Sequence, residues 1–176
     1  MSKALWLALL LLAPAAARAD DMVCIRADHW TPADERGYGE FIAAIGESGC
    51  RTVDGCLHDP ANPFRSSDPT GAHFRSDCAD LPYFLRFYYA WKRGLPFSYV
   101  RDVSPVGGAR DIRYSARGNQ VEARRDVTSG ADALAVSDSI RDDISSATYR
   151  IHPGGKNQRT TFIPLPSRRA PSTPAP

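Results

Sequence analysis

Cys78 stands between two carboxylates in Asp77-Cys78-Ala79-Asp80, at the polar front edge of the aromatic run "LPYFLRFYYAWKRGLP". A thiol in the first turn of a helix meets the positive end of the helix dipole and unpaired backbone N–H groups, which favour thiolate. The same N–H groups suit an oxyanion. Asp77 and Asp80 act the other way, because negative charge nearby disfavours a thiolate. A base such as histidine is therefore needed to activate the sulfur for attack on a carbonyl.

The chain has four cysteines, Cys24, Cys50, Cys56 and Cys78, which allow three complete pairings. Cys50 with Cys56 is the most local and is the expected disulfide. Cys24 and Cys78 then either pair with each other or stay free. Two bridges and no catalyst is the competing reading, that of a disulfide-stapled, non-catalytic protein.

Asp77-Cys78-Ala79-Asp80-Leu81, followed by an aromatic helix and Gly94-Leu95-Pro96, resembles the D-C-S-G-L motif of NlpC-type cell-wall cysteine peptidases, a papain-like family. The likeness covers some twenty residues, with Ala79 and Asp80 in place of the usual Ser-Gly. It implies Cys78 as nucleophile and peptidoglycan peptide or a similar cell-envelope amide as substrate. It also implies a histidine downstream on a strand facing the cysteine. Only His152 lies beyond Cys78, after the expected strand "ATYRI" and directly before Pro153-Gly154-Gly155, and the family's continuation past that histidine is absent. With GC-rich codons, "LPSRRAPSTPAP" can be written so that the adjacent frame reads L-A-I-A-P-G-S-I-H-P-G-T. Its I-x-P-G-T resembles the turn that precedes the family's histidine strand. The expectation is a frameshifted or truncated product lacking the catalytic histidine, or a non-functional fragment.

Other chemistries find little support. His29, His58 and His73 form no His-x-His or Cys-x-x-Cys spacing, so no metal is expected. Gly154-Gly155-Lys156 lacks the rest of a phosphate cradle, no carboxylate pair reads as a glycosidase, and no cofactor is expected.

The N-terminus combines Lys3, the apolar run 4–12 and Ala17-Arg18-Ala19, a secretory signal peptide over residues 1–19 whose apolar run is too short to span a bilayer. The expected mature chain is exported, periplasmic or extracellular, with no membrane anchor. Of the 22 Lys and Arg, Lys3 and Arg18 leave with the signal, so 20 remain against 20 Asp and Glu. Net neutrality excludes the electrostatic case for nucleic acid, and Arg110, Arg113, Arg117, Arg124 and Arg125 read as solvated strand positions.

These residues need a scaffold to position them. Residues 20–153 are expected to form a single α+β domain, with an incomplete domain as the alternative, and 154–176 a disordered proline-rich tail. Thr31 as N-cap, Pro32 in the first turn and Phe41, Ile42 and Ile45 as a stripe predict a helix over 32–47, with Gly49 ending it. Residues 50–74 read as a long loop with Asp54-Gly55 as a turn. Leu81, Phe84, Leu85, Tyr88 and Trp91 on one face, with Tyr83, Phe87 and Ala90 on a second, predict a buried central helix capped by Asp77 or starting nearer Asp80. A small antiparallel hairpin is expected around Gly118-Asn119, then a helix carrying Leu134, Val136, Ile140 and Ile144, then the strand "ATYRIH".

Overall fold

The computed structural model describes residues 21–108, 110–149 and 151. The expected signal peptide, His152 and the segment 154–176 lie outside the described residues. The order is α1 (Pro32–Glu47), α2 (Val53–His58), a 3-10 turn (Arg65–Ser67), α3 (Leu81–Arg93), β1 (Ser98–Pro105), β2 (Asn119–Asp126), α4 (Ala133–Asp143) and a second 3-10 turn (Ser146–Tyr149). The fold is α+β.

Helix α1 starts where its sequence dictates. The Thr31 hydroxyl accepts from the Asp34 amide at 3.2 Å, while the Asp34 carboxylate accepts from the Thr31 amide at 3.0 Å. This reciprocal capping box satisfies donors that a helix start otherwise leaves unpaired. Phe41 and Ile45 carry its buried face.

Helix α3 is the hub. Tyr83, Phe84, Phe87, Tyr88, Tyr89, Ala90 and Trp91 are all buried, and α1 and α4 both pack against it. Its rings form a continuous aromatic core with Phe41, Phe64, Phe74 and Phe97, with neighbouring centroids 5.5 to 6.5 Å apart. Burying such large side chains supplies most of the drive to fold at this size. Two cations join the core through aromatic faces. Arg86 lies 3.8 Å over the Trp30 ring and forks onto Glu35 at 3.0 and 2.5 Å. Lys92 lies 3.5 Å over Trp91 and pairs with Asp68 at 2.8 Å.

Gly94 ends α3 in the left-handed conformation at φ 69°, and the Leu95 amide returns to Ala90 O at 2.9 Å. A Cβ at Gly94 would stand 2.9 Å from Cys24 O and 2.7 Å from Arg26 Nε. The N-terminal segment is therefore laid against the far end of α3, with the Arg26 amide donating to Gly94 O at 2.8 Å.

Three expectations are corrected here. The segment 50–74 is not one long loop: Thr52 caps α2 through the Gly55 amide, and Asp54-Gly55 lies in its first turn rather than in a β-turn. The hairpin is real, but its first strand is β1 at 98–105, and β1 and β2 are joined by residues 106–118. Gly118 at φ 79° ends that connection instead of forming a tight tip. The expected strand "ATYRIH" is, over its described part, a 3-10 turn followed by a parallel bridge between Asn119 and Ile151. Asn119 explains this: its buried amide donates to Ile112 O and Ala147 O and ties the turn to the sheet edge.

Candidate functional site

Cys78 is exposed and free, on a turn that leads into α3 rather than inside the helix. The Leu81 amide donates to Asp77 O at 3.1 Å, closing one helical turn ahead of Leu81, the first helical residue. The helix proper begins after Asp80, because Pro82 suits its first turn and lacks an amide to donate. Of the two expected starts, a cap at Asp77 or a start nearer Asp80, the helix has the second, and this puts Cys78 on the turn ahead of it.

Two carboxylates build that turn. Asp77 Oδ1 accepts from the amides of Ala79 at 2.6 Å and Asp80 at 3.2 Å. Asp80 Oδ1 accepts from the Asp77 amide at 2.7 Å and from the Ser76 hydroxyl. Asp80 is 1% exposed and its Oδ2 has no hydrogen-bond partner among the described residues. The turn therefore presents a solvent-facing sulfur on a rigid base, next to a buried acid. The amides of Ala79 and Asp80, which an oxyanion would need, are engaged by Asp77.

The described histidines lie on other carboxylates. His29 Nδ1 is 2.5 Å from Asp28. His58 Nδ1 donates to Asp54 O at 2.8 Å, and His73 Nδ1 lies 3.4 Å from Asp54 Oδ2. Asp54 also accepts from the Phe74 amide at 2.8 Å, and that bond, ahead of the two histidines, holds its carboxyl below the usual range. This Asp54–His58–His73 cluster pins α2 to the segment running toward Cys78. Sequence reading missed it, although Asp54 and His58 sit at i and i+4. Among the described residues no three His, Cys, Asp or Glu side chains are placed to hold a metal ion.

Cys50 and Cys56 are bonded, with Cα atoms 5.1 Å apart. Cys24 and Cys78 are not, which removes the alternative pairing. The reason is distance. Cys24 lies at the Gly94 end of α3 and Cys78 precedes its other end. Thirteen residues of helix span about 20 Å, whereas a disulfide holds Cα atoms within about 7 Å.

The chain matches no protein-family model, no curated protein and no solved structure. The likeness to NlpC-type peptidases rests on the residues quoted for it. Among the described residues no helix is long and apolar enough to cross a membrane.

Proposed function

We propose that the chain is an exported papain-like cysteine hydrolase in which Cys78 attacks a peptide or amide carbonyl, with peptidoglycan peptide or a similar envelope amide as the substrate class. The observation that carries this reading is the exposed Cys78 sulfur on the turn fixed by Asp77 and Asp80, at the head of the buried helix α3. Attack by the thiolate forms a thioester and expels the amine, which takes a proton as it leaves. Water then cleaves the thioester and returns the thiol. His152 is the base that the chain order offers.

A second reading is favoured by one specific contact. The Asp77 carboxylate engages the amides of Ala79 and Asp80, the donors an oxyanion at Cys78 would need. That suits a non-catalytic envelope protein stapled by Cys50–Cys56.

Cys24 supplies the reference that separates the two, since it is also free and exposed. Iodoacetamide labelling of the non-reduced protein at pH 6.5, followed by peptide mass spectrometry, compares the two thiols in one tube. An activated Cys78 labels about tenfold faster than Cys24, because the thiolate and not the thiol is the nucleophile. Equal rates sink the hydrolase reading and leave the stapled protein.

A further inference from the structure

Charge balances over the expected mature chain but is segregated in the fold. The hairpin and its connection, residues 101–125, carry six arginines against Asp102, Asp111 and Glu122. The described remainder, 21–100 and 126–149, carries sixteen acids against nine Lys and Arg. The hairpin also has a core of its own, in which Val100, Val103 and Val121 pack with Ile112 and Ile151 apart from the aromatic core. A basic lobe thus stands on an acidic helical body.

The connection 106–118 decides what that lobe shows to solvent. Arg124 and Arg125 of β2 are turned back onto Ser98 and Asp143. Arg110, Arg113 and Arg117 lie off the strands, in the connection itself. Ile112 is drawn inward by the hairpin core, and its carbonyl accepts from the buried Asn119 amide at 2.9 Å. Ser115 is fully buried, its hydroxyl donating to Gly118 O. Arg113 and Tyr114, held between these two anchors, project outward.

Tyr114 is 76% exposed, the most exposed large apolar side chain among the described residues. Hydrogen bonds hold it there. The Tyr114 amide donates to Asp111 O at 3.1 Å, and the Arg113 guanidinium forks onto the Asp111 carboxylate at 3.0 and 2.6 Å. That fork neutralises the one acid of the connection and leaves Arg113 5.4 Å from the Tyr114 ring centroid. Arg110 and Arg117 flank the pair, both exposed, and Arg117 lies along Gly107, where a Cβ would stand 3.2 Å from its Cδ.

A ring with a polar tip suits the boundary between lipid headgroups and chains. Arginine suits lipid phosphate, which its planar fork meets with two hydrogen bonds. A nucleic-acid strand asks instead for several stacking rings along a basic track, and the connection has one ring. We propose that residues 106–118 dock the chain on an anionic lipid surface, with Tyr114 in the headgroup layer and Arg110 and Arg117 on lipid phosphates. Like charge holds the acidic body away from the same surface, and this sets the orientation. The proposal does not depend on whether Cys78 is catalytic.

The test is co-sedimentation of the full chain with vesicles of phosphatidylglycerol and phosphatidylcholine in equal parts, and with vesicles of phosphatidylcholine alone. At low salt the native chain binds the mixed vesicles at least about thirtyfold more tightly, the share of two arginines at about fivefold each, and the difference closes as salt rises. The double variant Arg110→Ser, Arg117→Ser loses that factor. Tyr114→Ser loses about fivefold at low and high salt alike, because part of its ring is buried apolar surface. The double variant Arg51→Ser, Arg65→Ser removes the same charge from exposed positions of the helical body and binds as the native chain does. Circular dichroism and melting temperature match in all four proteins. Equal binding to both kinds of vesicle, equal losses in the two arginine pairs, or an unchanged Tyr114→Ser overturns the proposal. Tighter binding to oligothymidylate than to the mixed vesicles assigns the connection to nucleic acid, and self-association that Arg110→Ser, Arg117→Ser dissolves assigns it to the acidic body of a second copy. Either result also overturns the proposal.

Discussion

Asp77 and Asp80 cap each other across one turn: the carboxylate of each accepts from the amide of the other, at 3.2 and 2.7 Å. Cys78 sits inside that exchange, so the acids that flank it in sequence are structural elements of its turn. They also keep negative charge beside the sulfur and occupy the amides an oxyanion would need. Stability and reactivity at this position are therefore opposed.

That opposition gives the first prediction. Asp77→Ala removes a cap and costs about 1 kcal/mol of stability, the usual cost of a lost capping side chain. It also frees the amides of Ala79 and Asp80 and deletes one negative charge, so Cys78 labels faster with iodoacetamide at any given pH. Urea melts and labelling rates read the two effects separately. A variant that melts earlier with no change in the Cys78 rate shows that Asp77 has no hold on the sulfur.

The second prediction concerns the buried pair Lys92–Asp68, each side chain 4% exposed. Asp68 also accepts from the Tyr88 hydroxyl at 2.9 Å, and Tyr88 in turn accepts from Asn62 at 2.9 Å. Asp68→Ala removes the carboxylate paired with the buried Lys92 cation and costs about 3–5 kcal/mol. The double variant Asp68→Ala, Lys92→Met recovers much of that loss. Chemical denaturation of the three proteins checks it, and a double variant no better than the single one refutes it.

Tyr38 supplies a pH prediction. Burial pushes its phenol up to about 12, partly offset by the Arg86 guanidinium. The folded chain therefore holds this proton more tightly than the unfolded chain, whose tyrosines titrate near 10. The sign follows: this contribution is complete below about pH 10 and is lost as pH rises toward 12. Tyr38→Phe flattens the fall in stability across that window, measured as midpoint against pH. Parallel curves for the two proteins would refute the assignment.

The Cys50–Cys56 bridge closes a short ring at the start of α2, with a sequence separation of 6. By chain entropy its loss costs about 2 kcal/mol. The double variant Cys50→Ser, Cys56→Ser should lose that much unfolding free energy in a urea melt, with α2 losing amide protection before the core does. Hydrogen exchange over 52–60 reads this directly, and an unchanged rate there shows that Thr52 and Asp54 suffice.

The elements legible in sequence were those whose causes are local. Helix α1 announces itself because Thr31, Pro32 and Asp34 form its cap within four residues. Helix α3 does so because an aromatic run that is apolar on most sides can only be interior. What escaped depended on distant partners. Strand β1 pairs across a connection of thirteen residues, and no tight-turn signal marks the join. Helix α2 has six residues, too few to form alone, and is held by Thr52 and the disulfide. The site was half legible: Cys78 and its acids are adjacent in sequence, but which amides they engage follows from where Pro82 starts the helix. Asp54 and His73, nineteen residues apart, gave no sign of meeting.

Gly94 has a consequence for the oxidation of this protein. By seating Cys24 at one end of α3 it leaves the two free thiols at opposite poles of a rigid rod, each facing solvent. Neither can quench the other without unfolding, so a two-electron oxidant joins sulfurs of different molecules. A chain with a free, exposed sulfur at each pole is a bifunctional monomer. Its oxidised products are linear polymers, and replacing either cysteine with serine stops growth at the dimer.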